Sequence, residues 1–303
     1  MNTDMQPLVS IALCTYNGER FLIKQLDSLL SQDYSNIEIV IVDDGSTDHT
    51  LDIVNSYARR DSRIRYLKNE VNLGFNKNFE KAIMLTSGDY IAISDQDDVW
   101  YPNKLRLLLD NIKDNWLIFS NSRCKSKTKQ AKLLDHFNPP DDYKGILLRN
   151  YVTGHTVLLR REFLKFALPF PQKGYYDWWL GFVAAYHRKI AFLDKVLTAY
   201  RVHNESVIQK RIAARNAELE EYETVTDMLT AFSGYKNLSQ EDKAFINQLK
   251  YGYQLRGVKS RSIPLIKIVY NYYRELFPNQ RSREMLSKLK FALKFSKGLH
   301  ANL

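Results

Sequence analysis

The sequence predicts an α/β fold: a mainly parallel sheet flanked by helices, followed by a helical, basic C-terminal extension. Three observations predict it. Apolar runs of strand length alternate with amphipathic stretches of helix length up to about residue 120, the signature of repeated βαβ units. Three of those runs end in polar tips, at residues 14–19, 43–48 and 95–98, and ligands of open α/β sheets bind at the carboxyl ends of strands. Beyond residue 209 the pattern turns helical and rich in Lys and Arg.

The first strand, near 9–14, is the run Leu8-Val9-Ser10-Ile11-Ala12-Leu13, and it gives way to Cys14-Thr15-Tyr16-Asn17-Gly18-Glu19. Tyr16 can stack on a flat base, and Thr15 or Asn17 can hydrogen-bond it. The same residues suit an Asn-Gly turn leading into a helix. That helix is expected near 19–31, where Phe21, Leu22, Leu26, Leu29 and Leu30 recur at helical spacing and mark a core face. The second strand, near 37–42, is Ile37-Glu38-Ile39-Val40-Ile41-Val42, and it ends in Asp43-Asp44-Gly45-Ser46-Thr47-Asp48. Asp-Gly makes the turn, and Ser46, Thr47 or Asp48 caps a helix near 49–59. The pair Asp43-Asp44 is less well explained by a turn, and a carboxylate there can accept the N3–H of a uracil or thymine ring. A strand near 63–67, a helix near 75–86 and a strand near 89–94 continue the alternation.

Directly after the apolar run Tyr90-Ile91-Ala92-Ile93 stands Asp95-Gln96-Asp97-Asp98. Three carboxylates just past a buried strand repel one another and are costly to desolvate. A divalent cation on a polyphosphate resolves that conflict, and magnesium-type sites use one or two protein carboxylates with phosphate and water oxygens. In an extended segment residues i and i+2 point the same way, which pairs Asp95 with Asp97. The register Asp97/Asp98 is also open, with Asp98 otherwise orienting Trp100 or capping a helix near 102–113. An acidic turn capping that helix is the simpler account of the cluster. A strand near 116–120 closes the alternating region.

Residues 121–145 are polar and Lys-rich, with Pro139-Pro140, and read as a hairpin or loop excursion; 146–208 is mixed. Helices are expected from Arg211 to Leu229, Gln240 to Tyr253, Leu265 to Phe277 and Arg283 to Phe295, with a boundary near 209. The organisation is then a domain over 1–208, its two halves meeting near 120, and a helical region over 209–303.

At 303 residues the chain holds one large domain and a smaller one. Two cysteines, Cys14 and Cys124, argue against a disulfide framework or a zinc cluster and for a reducing compartment. No apolar run approaches the roughly 18 residues of a spanning helix, and no basic region precedes the first apolar run, which argues against a signal peptide. No Gly-x-x-x-x-Gly-Lys-[Ser/Thr] phosphate loop is present. The net charge of +10 arises mainly from residue 250 on, where Arg256, Lys259, Arg261, Lys267, Lys288, Lys290, Lys294 and others interleave with Tyr, Phe, Leu and Ile. Such a segment can lie on an anionic membrane or pack its apolar stripe on the preceding domain with lysines in solvent. No nucleic-acid recognition motif accompanies it, so nucleic acid is not expected as a partner.

From Val9 to about Leu105 the chain resembles the nucleotide-sugar-binding half of a family-2 glycosyltransferase with the GT-A (Rossmann-like) fold. The matching pieces are Thr15-Tyr16-Asn17, Val42 to Asp48, Asn72-Leu73-Gly74, Gly88-Asp89-Tyr90-Ile91 and Asp95-Gln96-Asp97-Asp98, in the family's order and spacing. Asp95-Gln96-Asp97-Asp98-Val99-Trp100 is most similar to bacterial rhamnosyltransferases and related polysaccharide enzymes. The resemblance implies a nucleoside diphosphate-sugar donor, dTDP- or UDP-linked, on Thr15, Tyr16, Asn17, Glu19, Asp43, Asp44 and Asp95. It implies a divalent cation, Mn2+ or Mg2+, on Asp97 and Asp95 with His203, whose imidazole suits manganese better than magnesium. It makes Asp177, in Gly174-Tyr175-Tyr176-Asp177-Trp178-Trp179, the candidate general base, where many members carry a Glu-Asp pair and this chain has Tyr176-Asp177. A carboxylate among aromatics suits that role, and Asp177 can also cap a helix over 178–188. Gly154, His155, Trp178, Trp179 and Arg201 are the implied pocket residues.

The function so expected is inverting, metal-dependent transfer of a sugar, rhamnose favoured, to a glycan or lipid-linked acceptor in surface-polysaccharide synthesis. The location so expected is cytoplasmic, peripheral at the inner face of the cell membrane. The alternatives are a catalytically silent nucleotide-binding scaffold of the same fold, a glycoside hydrolase and a nucleotidyltransferase.

Overall fold

The computed structural model describes residues 6–124, 140, 142–201, 217–281 and 284–299. The chain forms two compact units. One comprises Met1–Phe137, Val152–Gln172 and His187–Val202; the other comprises Asn138–Tyr151, Lys173–Tyr186 and His203–Leu303. The second unit thus includes two segments that lie before the boundary expected near 209.

The first unit is built on eight strands: β1 (Val9–Thr15), β2 (Ile37–Asp43), β3 (Ile64–Lys68), β4 (Tyr90–Ser94), β5 (Val99–Trp100), β6 (Leu117–Cys124), β7 (Val157–Arg160) and β8 (Ile190–Tyr200). They lie in the order β3-β2-β1-β4-β7-β6-β8-β5. β1 pairs in parallel with β2 and β4, β2 with β3, and β6 with β8; β7 is antiparallel to β4 and β6, and β5 to β8. Helices α1 (Glu19–Leu30), α2 (Thr50–Arg60), α3 (Phe75–Met84), α4 (Lys104–Ile112) and the short α5 (Leu164–Ala167) accompany the sheet. β1 and β2 are covered on both faces, which is why they read as continuous apolar runs. Val9, Ile11 and Leu13 share one core with Leu22, Leu26 and Leu29 of α1 and Leu105, Leu108 and Ile112 of α4.

The five strands expected from the sequence are all present within a few residues. β5 and β7 were not expected, because two- and four-residue strands leave no periodicity to read. β8 lies in the stretch that reads as mixed in the sequence, and it ends at Tyr200.

The second unit contains α6 (Tyr176–Tyr186), α7 (Ala217–Ser233), α8 (Gln240–Gln254), α9 (Ile263–Asn271), α10 (Tyr273–Leu276) and α11 (Met285–Phe295). The start of the helix expected from Arg211 lies outside the described residues. The helix expected from Leu265 to Phe277 is two pieces, α9 and α10, divided at Tyr272. Ser239 caps α8 by accepting from the Asp242 N–H at 3.0 Å, and Ser262 caps α9 by accepting from Leu265 N–H. Aromatic rings fill the core: Phe182 stacks on Phe232 at 4.2 Å, and Trp179 lies parallel to Phe232. Among the described residues, no helix is long and apolar enough to cross a membrane.

Candidate active site

The sheet register gathers the three polar tips. Thr15 pairs with Asp43, and Leu13 with Ser94, so the loops after β1, β2 and β4 leave the sheet side by side. Two of these loops are tied together by side chains accepting from hydroxyls and from backbone N–H groups. Asp43 accepts from the hydroxyls of Thr15 at 2.9 Å and Ser46 at 2.5 Å, and from the Ser46 N–H at 2.8 Å. Asp44 accepts from Asn69 Nδ2 and the Leu73 N–H, both at 2.8 Å, and from the Gly74 N–H at 3.0 Å. Asn17 Oδ1 accepts from the Thr47 N–H, and Glu19 accepts from the His49 N–H at 2.8 Å. Asp43 and Asp44, both buried, therefore build the loop walls. Tyr16, 49% exposed, is the tip residue with a free ring surface.

Gln96 joins the acidic loop to the first tip. Its Oε1 accepts from the Tyr16 N–H at 2.9 Å, and its Nε2 donates to the Tyr16 carbonyl at 3.0 Å. Gly18 makes room for that side chain: a Cβ there would stand 2.2 Å from Gln96 Oε1.

The acidic loop is a turn at residues 96 and 97, and this changes which carboxylates share a side. The pairing of Asp95 with Asp97 presumed an extended segment. In the turn, Asp95 comes together with Asp98 and with His155, their ligand atoms lying within 4.8 Å of one another. His155 Nδ1 is 3.6 Å from both Asp95 Oδ2 and Asp98 Oδ2. Its ring stacks on Tyr200 with centroids 5.0 Å apart. The Arg201 N–H donates to Asp98 Oδ1 at 3.2 Å, and the Arg201 guanidinium lies over the Phe21 ring. Asp97 is half-buried in the turn and outside this trio. His203 lies outside the described residues.

The trio's electrostatics are unbalanced. Burial pushes the Asp98 carboxyl up to about 7; His155 opposes the shift, and Asp95 and Asp97 add to it. Burial disfavours charge on His155, yet Asp98 and Asp95 hold its pKa above the ordinary value. Asp98 Oδ2 and His155 Nε2 are buried without a hydrogen-bond partner among the described residues. Two carboxylates and an imidazole, with orphaned polar atoms, form a donor set that fits a divalent cation of the manganese type.

Beneath the trio lies Lys104, fully buried at the start of α4. Its Nζ donates to the His155 carbonyl at 2.5 Å and to Thr198 Oγ1 at 3.0 Å, and sits 3.5 Å from the centroid of the Trp100 ring. Burial holds its pKa well below the usual lysine range, while Asp98 and Asp95 favour its charge. Sequence reasoning missed Lys104, although it was legible: it falls on the stripe Leu105, Leu108, Ile112, where a buried lysine needs a purpose.

In the second unit, Asp177 stands near the start of α6, where the helix dipole favours a carboxylate. Its Oδ1 accepts from the Trp178 N–H at 2.7 Å and from Asn150 Nδ2 at 3.1 Å; the helix begins at Tyr176, so Asp177 lies within its first turn and does not cap a helix over 178–188. Asn150 also lines a cavity of about 300 Å³ with Arg149, Tyr175, Trp178, Glu220 and Glu221. Trp178 is fixed by donating from Nε1 to the Ile146 carbonyl at 2.7 Å. Trp179 is buried among Phe182, Phe232 and Tyr235, so it serves the core. Gly154 and His155 begin a short 3₁₀ turn in the first unit. No sequence signal marked Asn150.

Comparisons with known proteins show the family and the fold. Residues 10–167 match the family model described as Glycosyl transferase family 2. The Escherichia coli protein named UDP-Glc:alpha-D-GlcNAc-diphosphoundecaprenol beta-1,3-glucosyltransferase WfaP is 34% identical over 202 residues, covering 66% of this chain and 79% of that one. Staphylococcus aureus TarS 1-349 in complex with UDP-GlcNAc aligns with a TM-score of 0.60 at 19% identity, over 89% of this chain and 82% of that one. The mannosyltransferase PcManGT from Pyrobaculum calidifontis, in complex with GDP-Man and Mn2+, aligns with a TM-score of 0.59 at 16% identity, over 96% and 81%. The first of the relatives matched by sequence are spanned over 66% to 79% of their length.

Proposed function

The chain belongs to glycosyl transferase family 2, and from that membership we propose that it is an inverting, metal-dependent transferase. It moves a sugar from a nucleoside diphosphate-sugar to a glycan or lipid-linked acceptor in cell-surface polysaccharide synthesis. The observation that carries the reading is the trio of half-buried Asp95 with buried Asp98 and His155, set beside the tips of β1 and β2. Tyr16 offers its exposed ring to the base, on loops held by Thr15, Asn17, Glu19, Asp43 and Asp44. Asp95, Asp98 and His155 would hold a divalent cation, and Asp97, on the same turn, would offer that cation a further carboxylate oxygen. Such an ion stabilises charge on a leaving diphosphate. Arg201, whose backbone holds Asp98, adds positive charge to that side.

The acceptor hydroxyl forms the new bond to the anomeric carbon, on the face opposite the departing nucleoside diphosphate. The bond between that carbon and the diphosphate oxygen breaks, and the Asp177 carboxylate takes the hydroxyl proton. Asn150 orients Asp177 from the wall of the cavity. That cavity, with one cation, two acids and two aromatic rings, suits a polyhydroxyl acceptor. Two leads narrow the donor: the Asp95-Gln96-Asp97-Asp98-Val99-Trp100 variant favours rhamnose, and the WfaP relative is named for UDP-Glc.

Calorimetry with dTDP-rhamnose, UDP-glucose, UDP-galactose and UDP-GlcNAc, with and without Mn2+, tests the reading. Metal-dependent binding of one donor is expected. Binding of none of them, and of neither UDP nor dTDP alone, would sink it.

A further inference from the structure

The basic C-terminal segment was legible as amphipathic, but the structure divides its apolar residues into two sets with different surroundings. One set is inside the second unit. Leu265, Val269, Tyr273, Leu276 and Ala292 are buried. Phe291 and Phe295 of α11 turn toward Tyr273, Phe277 and Tyr253. The other set faces outward. Met285, Leu286 and Leu289 of α11 are 67%, 70% and 40% exposed. At about 100° per residue, Met285, Leu289, Leu293 and Leu286 fall within a single arc of roughly 100°, a continuous apolar stripe. α11 carries no acidic residue from Met285 to Phe295, and Lys290 and Lys294 border the stripe.

The patch continues past the helix end. Arg261 and Lys297 form a β-bridge, and Gly298 N–H donates to the Ser260 carbonyl at 2.9 Å. This seam brings the exposed Lys259 and Arg261, and the exposed apolar Val258 and Ile263, to the C-terminal end of α11. A helix that already buries one apolar face on its own unit needs no second one for folding. Large exposed apolar residues flanked by lysines are the composition of a helix lying in a membrane interface.

We propose that the outer face of α11, with Ile263 and Val258 beside it, docks on an anionic lipid bilayer. Met285, Leu286, Leu289 and Leu293 enter the acyl boundary, while Lys259, Arg261, Lys290, Lys294 and Lys297 meet lipid phosphates. The charge decides between lipid and a second copy of the chain: two such faces brought together would oppose lysine to lysine, whereas anionic headgroups complement them. The docking deepens the lipid-linked acceptor reading by naming the surface on which that acceptor is met, and it is measured without any donor or acceptor.

The test is co-sedimentation of the full chain with vesicles of phosphatidylcholine alone or with 30% phosphatidylglycerol. Binding to the anionic vesicles that weakens with salt is expected. Each lysine near such a surface strengthens partition about five-fold, so K290E/K294E is expected to weaken it at least about twenty-fold. L286D/L289D is expected to abolish it. Both variants alter exposed positions and keep the wild-type melting profile and donor binding. Equal partition onto neutral and anionic vesicles would overturn the proposal, as would unchanged binding by either variant. Concentration-dependent dimers lost in L286D/L289D, without vesicle binding, would reassign the face to a second copy. Failure of donor binding in wild type with intact docking would count against the transferase reading and leave this one standing.

Discussion

Asp98 Oδ2 lies 3.6 Å from His155 Nδ1 and has no hydrogen-bond partner among the described residues. From the sequence, Asp97 belonged to both candidate registers and Asp98 could orient Trp100 or cap a helix. The turn at residues 96 and 97 instead brings Asp98 to His155, some fifty-seven positions away in the chain, about which strand periodicity says nothing. The consequence is measurable without turnover. Mn2+ is expected to raise the melting temperature of the wild type, because a ligand bound only by the folded state stabilises it. The same addition is expected to leave Asp98→Asn unmoved, and a differential scanning measurement decides it. Lys104 carries a second expectation. Lys104→Ala leaves the His155 carbonyl and Thr198 hydroxyl without their donor and opens a cavity against Trp100, so a loss of about 2–4 kcal/mol is expected in urea unfolding. Gly18→Ala acts by contact: its Cβ collides with Gln96 and parts it from Tyr16. Weaker donor binding with only a small change in stability is expected, read by calorimetry.

At the scale of elements, the parallel strands were the most legible part of the chain. β1 and β2 are covered on both faces, and double burial demands an unbroken apolar run that any reader of the sequence finds. Their one conspicuous exception, Glu38 in β2, is explained at the N-terminal end of the sheet. Burial resists its charge. Hydrogen bonds from Ser10 Oγ at 2.5 Å and from the Ser87 N–H and hydroxyl, with Arg65 nearby, nevertheless hold its carboxyl down to about 2. A carboxyl depressed below its ordinary 4.5 stabilises the fold fully above that value and loses the contribution as pH falls toward 2. Wild-type unfolding free energy is expected to drop more steeply than that of Glu38→Gln between about pH 4.5 and 2, in urea titrations across that range. Trp178 and Trp179, at the start of the helix expected over 178–188, were both implied as pocket residues. Trp179 faces the core because α6 is apolar on all sides, as the run Trp178-Trp179-Leu180-Gly181-Phe182-Val183 requires of a buried helix.

At the scale of the whole molecule, the proposed chemistry divides along the two compact units. The donor and cation residues belong to the first unit and Asp177 to the second. Asp177→Asn is therefore expected to retain metal-dependent donor binding in calorimetry while losing transfer by at least about a hundred-fold. Near-normal transfer by that variant would remove the base assignment. The +10 charge also resolves at this scale. It was visible in composition, but which apolar residues it accompanies at the surface required α11 to be folded.

The sequence by itself determined the alternating strand–helix half, the polar strand tips and the family, because each is written in local spacing. Only the tertiary structure decided that Asp95 meets Asp98 and His155, that Lys104 sits beneath them, and that Asn150 holds Asp177. Those contacts join residues from separate elements, brought together by strand order and burial. No periodicity along the chain encodes strand order, and burial of a polar side chain appears only once its neighbours surround it.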